Sequence, residues 1–157
     1  MVSITPYLWF DNNAEEAIDF YRGIFPDARV IDETRWPEGT PDAGGLLNAT
    51  IELAGQRFIM LNGGPAFVFT EAISFLVSVE TQDEVDHYWN SLIADGGGES
   101  QCAWLKDRFG LSWQIVPTAL MRYLTDSDPA RAGRVMQAML AMKKIVIADL
   151  DAAYNGD

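Results

Sequence analysis

Two segments of the chain superpose at an offset of 68 residues. Glu16-Ala17 and Phe20-Tyr21 match Glu84-Val85 and Tyr88-Trp89, and Ile24-Phe25 matches Leu92-Ile93. In both segments the apolar positions recur at helical spacing. A candidate strand precedes each one, "SITPYLWF" (3–10) and "AISFLVSV" (72–79). Further strand candidates follow: "ARVIDETRW", "LLNATIEL" and "QRFIML" after the first, "GGESQCAWL" and "LSWQIV" after the second. Each half therefore reads β-α-β-β-β. One such unit cannot cover its own sheet, so the repeat predicts two that pair. The expected fold is α+β, with modules at 1–64 and 65–117 and a C-terminal helical extension at 118–157, one structural domain overall.

Local signals mark the boundaries. Asn13 can cap the first helix, with Glu16 three residues on in a capping-box-like arrangement, and Pro26 stops it. Thr81 and Glu84 form a full T-x-x-E box for the second helix. Ala54-Gly55 suits a hairpin turn. After Pro117 the texture turns helical, over "TALMRYLTD" and then "PARAGRVMQAMLAMKKIVIADLDAAY", with Asp128-Pro129 as a start signal. Val135, Met139, Met142 and Val146 make one apolar stripe; Met136, Leu140 and Ile147 make another beside it. Such a tail fits packing on its own sheet, and its Met-rich faces also suit burial against a second subunit.

Charge narrows the partners. The net charge of −12 lies wholly in residues 1–116, while 117–157 are neutral. An acidic surface repels phosphate backbones and anionic lipid, so neither nucleic acid nor a membrane is an expected partner. No apolar run approaches the roughly 20 residues of a membrane span, and the first residues show neither a basic n-region nor a cleavage site. The single cysteine, Cys102, excludes an internal disulfide framework. A cytoplasmic protein is expected.

Strand alternation supplies the candidate site. In the first strand Thr5, Tyr7 and Trp9 oppose Ile4, Pro6, Leu8 and Phe10. In the fifth, Ser74, Leu76 and Ser78 oppose Ile73, Phe75, Val77 and Val79; in the closing strand Ser112 and Gln114 oppose Trp113 and Ile115. Each strand has one apolar face for a helix and one mixed face. A mixed face meets either water or a ligand, and Tyr7, Trp9 and Met60 beside Ser and Gln suit a mostly apolar pocket with a few polar groups. His87 reads as a surface histidine without a catalytic partner, and Cys102 as a small buried thiol in a strand. Lys106-Asp107-Arg108 reads as a charged turn, Trp104 as core or cavity rim, and Asn62-Gly63-Gly64 as turn chemistry. No catalytic residue is assigned.

"TPYLWFDNNAEEAIDFY", "LNGGPAFVFTEAISF" and "WLKDRFGLSWQIVP" resemble the vicinal-oxygen-chelate, or glyoxalase/bleomycin-resistance, superfamily. More narrowly they resemble its PhnB-like branch, often labelled demethylubiquinone 3-methyltransferase-like. The resemblance implies paired βαβββ modules curling into a half-open curved sheet around a cavity, usually in a homodimer. In metal-using members four inward side chains, typically His and Glu, hold a divalent ion. Carried onto this chain those positions fall on Thr5, Met60, Ser74 and Gln114. Four uncharged groups would not compensate a divalent ion, so no metal is expected. The implied ligand set is Thr5, Tyr7, Met60, Asn62, Ser74, Trp104 and Gln114, with Asn62 on a loop that borders the cavity in the family. No cofactor is expected either: the chain has no G-x-G-x-x-G, and its strand–helix junctions lack glycine. The expected function is binding of a small organic ligand. The alternatives are a family enzyme (a lyase, an isomerase or the methyltransferase of the label) and a ligand-sequestering protein of the resistance type.

Overall fold

The computed structural model describes residues 2–157. The chain divides into two compact units, the first ending at Phe69 and the second spanning Thr70–Asp157.

In the first unit the strands are β1 (Tyr7–Phe10), β2 (Arg29–Arg35), β3 (Leu46–Leu53) and β4 (Gln56–Asn62), with helix α1 at Ala14–Ile24. They form a mixed sheet in the order β1-β4-β3-β2, with β1 parallel to β4 and the other pairs antiparallel. The β3–β4 hairpin turns through Ala54 and Gly55, both left-handed at φ 47° and 81°, as a two-residue primed turn requires. One face is apolar. Leu8, Phe10, Ala49, Ile51, Phe58 and Met60 are buried there with Ala14, Ala17, Ile18 and Tyr21 of α1.

The second unit repeats the plan. Strands β5 (Ser74–Val79), β6 (Gly98–Glu99), β7 (Trp104–Lys106) and β8 (Ser112–Pro117) lie in the order β5-β8-β7-β6, and α2 (Gln82–Leu92) buries Val85, Trp89 and Leu92. The expected two-fold βαβββ pattern is therefore present. The α2 capping box is complete: Glu84 N–H donates to Thr81 Oγ1 at 3.2 Å, while Thr81 N–H donates to Glu84 Oε2 at 3.0 Å. Glu80 N–H donates to the same carboxylate oxygen at 2.7 Å. These backbone donors, that of Glu80 foremost, hold the Glu84 pKa below the usual carboxylate value. A lowered folded-state pKa stabilises the fold above the unfolded value near pH 4.3, and the gain is lost as pH falls through the folded value. Glu84→Gln should therefore give a shallower fall of the urea midpoint between about pH 5 and 3 than the parent shows.

Sequence and structure part at both ends of this plan. Asn13 makes no side-chain cap to α1. The cap comes from β4 instead, where Asn62 Oδ1 accepts from Ala14 N–H at 2.8 Å. The helical tail beyond Pro129 is two helices, α4 (Pro129–Leu140) and α5 (Ile147–Asn155), preceded by α3 (Thr118–Leu124). Between them the chain leaves helical pairing, and the carbonyls of Met142 and Lys143 accept from the N–H groups of Cys102 and Ala103 at 2.9 Å each. Cys102 is thus half-buried in a left-handed turn at φ 56°, not a strand. The tail packs within its own unit: Leu120, Val135, Ile145 and Leu150 share a buried cluster with Ala103 and Val116, and Met139 and Met142 rest against it. The first apolar stripe is therefore largely core, whereas Met136 and Leu140 of the second remain exposed. Among the described residues no helix is long and apolar enough to cross a membrane.

Candidate functional site

Strand register decides which residues can meet a ligand. Across the parallel β5–β8 pair Ser74 faces Ser112 and Leu76 faces Gln114; across β8–β7 Lys106 faces Ser112 and Trp104 faces Gln114. All six sit on the side of the sheet opposite α2. They form two rows, Ser74–Ser112–Lys106 and Leu76–Gln114–Trp104. Gln114 Nε2 donates to Ser74 Oγ at 2.8 Å, so the structure brings two expected site residues into contact and sets a third, Trp104, beside them. Lys106 Nζ pairs with Glu71 Oε1 at 2.7 Å, and that ammonium holds the Glu71 pKa down.

The first unit presents a comparable open face. Tyr7, 55% exposed, and half-buried Trp9 lie opposite α1, in register with Ile59 and Leu61 of β4. Thr5 precedes β1 and is half-buried. Glu52 and Arg57 share this face, and the Glu52 carboxylate is held by Arg29 at 2.6 Å and by Arg57 at 3.3 Å. Those guanidiniums, Arg29 first, depress its pKa. Glu52 is thus an ion-paired acceptor, ill-suited to take up a proton near neutrality.

Two expected site residues are placed elsewhere. Met60 pairs in register with Leu8 and Ala49 on the α1 side, fully buried. A one-residue displacement along a strand reverses the face, so Met60 is core. Asn62 follows Met60 on the same side. Its oxygen caps α1, and its Nδ2 donates to Leu46 O at 3.0 Å. Asn62→Ala should lower the unfolding free energy by about 1–2 kcal/mol in urea titration, the usual cost of losing a cap. The glycines that follow hold Trp9: its indole Nε1 donates to Gly64 O at 2.8 Å. A Cβ on Gly63 would stand 2.2 Å from the ring. This loop therefore fixes an indole, with the Phe67 ring edge-on at 5.0 Å.

The sequence reading missed the depth of Asp107. Its side chain is buried, and Oδ1 accepts from Phe109 N–H at 2.9 Å and Leu111 N–H at 3.0 Å. Oδ2 accepts from Trp113 Nε1 at 2.9 Å. Asp107 organises the β7–β8 turn and does not face a ligand. The Asx-turn chemistry of aspartate followed by Gly110 was the available signal.

Residues 2–116 match the family model described as 3-demethylubiquinone-9 3-methyltransferase. The PhnB protein of that description from Bacillus cereus is 31% identical over 74% of this chain and 99% of its own, with a TM-score of 0.66. The chain belongs to this PhnB-like family. It shares its fold with the fosfomycin resistance protein FosX of Listeria monocytogenes, solved with Mn(II) and sulfate, at 16% identity, TM-score 0.53 and coverage of 74% and 91%. A glyoxylase/bleomycin resistance protein/dioxygenase domain from Frankia sp. EAN1pec also shares it, at 13% identity, TM-score 0.50 and coverage of 74% and 92%. The PhnB-like chain thus has the fold of this glyoxylase/bleomycin resistance protein/dioxygenase domain. No curated protein sequence matches it.

The divalent ion that the resemblance implies does not fit these residues. Of the four positions that would carry it, Met60 is core, Thr5 and Ser74 offer hydroxyls, and the Gln114 amide is bonded to Ser74. Such donors carry no charge to offset a cation. Among the described residues no three His, Cys, Asp or Glu side chains are grouped to hold a metal ion.

Proposed function

We propose that this PhnB-like protein binds a small, partly apolar organic ligand through direct hydrogen bonds, with no divalent ion between protein and ligand. The observation that carries this reading is the Gln114–Ser74 contact at 2.8 Å between Leu76 and Trp104 on the open face of the second unit. Two apolar walls flank a small polar group there, the usual composition of a ligand site. The amide keeps its oxygen and one N–H for a ligand. Thr5 and Tyr7 are the ligand-facing residues proposed for the first unit's open face.

The same surface supports sequestration, since the carboxylates of Glu52 and Glu71 are engaged by cations. Gln114→Leu keeps the strand apolar and removes the polar group. The expected result is loss of at least about 80% of any organic species that co-purifies with the parent, read by mass spectrometry of the denatured protein. Retention of that species in full would contradict the assignment. We further propose a homodimer, since Met121, Met136 and Leu140 are exposed. Light scattering of the eluting protein should give twice the 17.4 kDa chain mass.

A further inference from the structure

Helices α4 and α5 border a cleft of about 570 Å³, lined by Pro129, Ala130, Gly133, Arg134, Gln137 and Ala153 among others. That volume lies within the range of small-molecule sites. The cleft lies beyond residues 2–116, so the family description does not bear on it.

Arg134 is fixed there by one edge. Its Nε donates to Ala153 O and its Nη2 to Tyr154 O, at 2.8 Å each, which satisfies the last carbonyls of α5. A Cβ on Gly156 would lie 3.6 Å from the same guanidinium. The other edge of the planar fork, Nη1–H with the second Nη2–H, has the spacing that matches a carboxylate. Arg22, Arg29, Arg35, Arg57, Arg108 and Arg131 each pair with an acid. Arg134 has no ion pair among the described residues, and Asp157, which also lines the cleft, makes none with it. Gly133 keeps the space open. A glycine inside a helix lowers its stability, and packing does not require this one, since a Cβ there would meet nothing within 4 Å. Ala130, Gly133, Arg134 and Gln137 share one face of α4 by their spacing, and Gln137 adds an exposed amide.

We infer that the α4–α5 cleft is a second binding site, for a small monocarboxylate with an apolar body. The carboxylate meets the free edge of Arg134, the apolar body rests against Pro129, Ala130 and Ala153 over Gly133, and the Gln137 amide takes a polar substituent. One unpaired cation offsets one negative charge in a segment, 117–157, that is neutral overall. A dianion such as phosphate is left half compensated there. An uncharged ligand leaves the charged fork unanswered.

Benzoate and benzamide, alike in shape and different in charge, test this at pH 7 on the 15N-labelled chain. Benzoate should shift the Gln137 side-chain amide and the Gly133 backbone amide. It should bind at least about tenfold more tightly than benzamide, the contribution of a charge-assisted pair. Arg134→Lys keeps the charge but loses the fork, and should weaken benzoate by about five- to tenfold. Gly133→Leu fills the cleft without changing the guanidinium. It should abolish the shift of the Gln137 amide and leave the melting temperature unchanged or higher, because glycine is the poorer helix former. Equal affinity for the two probes, or benzoate binding indifferent to Arg134→Lys or to Gly133→Leu, would overturn the site. Shifts confined to other parts of the chain would overturn it as well, as would silence toward both probes up to about 20 mM. A lower melting temperature in Gly133→Leu would show that packing already fills the space, and the inference would fall. None of these failures touches ligand binding on the open faces.

Discussion

Asp107→Ala should lower the free energy of unfolding by about 3–4 kcal/mol, a large share of what holds a domain of this size together. The carboxylate is the shared acceptor for three donors, the N–H groups of Phe109 and Leu111 and the Trp113 indole. Alanine leaves all three unmatched in a buried turn, at about 1 kcal/mol or more apiece. Asp107→Asn keeps one oxygen but sets an NH2 against a donor, so it should cost roughly half as much. Asp95→Asn, which keeps a residue suited to the left-handed φ of 57° there, is the contrast. Asp95 is exposed and pairs with Arg108 at 3.7 Å, and its loss should change stability by less than about 0.5 kcal/mol. Urea unfolding monitored by tryptophan emission separates the three. Because β8 carries Gln114, Asp107→Ala should also weaken any ligand held there.

Gly97→Ala should cost about 3 kcal/mol, while Gly98→Ala, one residue on, should be nearly silent. A Cβ at Gly97 would lie 2.6 Å from Ile93 Cα and 2.8 Å from Lys106 O. Both are backbone atoms, so relief requires the end of α2 to part from β7. Overpacking of that kind costs 1–3 kcal/mol or somewhat more. A Cβ at Gly98 meets nothing within 4 Å. The thermal midpoints of the pair isolate the close approach from any general effect of losing a glycine.

These glycines show what could be read from the chain alone. "GGG" after a helix announces a stop, and the left-handed Gly96 at φ 114° belongs to that stop. The need for Gly97 is set by Ile93 at the end of α2 together with Lys106 on β7, and the second of these no local pattern records. The α1 cap follows the same logic. Thr81 and Glu84 are close in sequence, and their box was legible; Asn62 reaches Ala14 across 48 residues, and only the folded sheet brings them together. The tail has helical composition throughout, but two carbonyls taken up by Cys102 and Ala103 interrupt it.

In the candidate site, alternation correctly put Ser74, Ser112 and Gln114 on one face, because strand parity is a local property. The position that the resemblance implies at Met60 lies on the other face, since one residue of displacement along β4 exchanges the open side for the core. The burial of Ser112 could not be read beforehand, because it exists only once the chain surrounds it.

On the reading proposed here an organic molecule, not a metal ion, meets the open face. Native mass spectrometry with elemental analysis, on protein purified without chelators, tests it most directly. The expected result is an organic mass released on denaturation, with zinc, nickel, iron and manganese well below one per chain. One tightly held divalent ion per chain, with no organic mass, would contradict it.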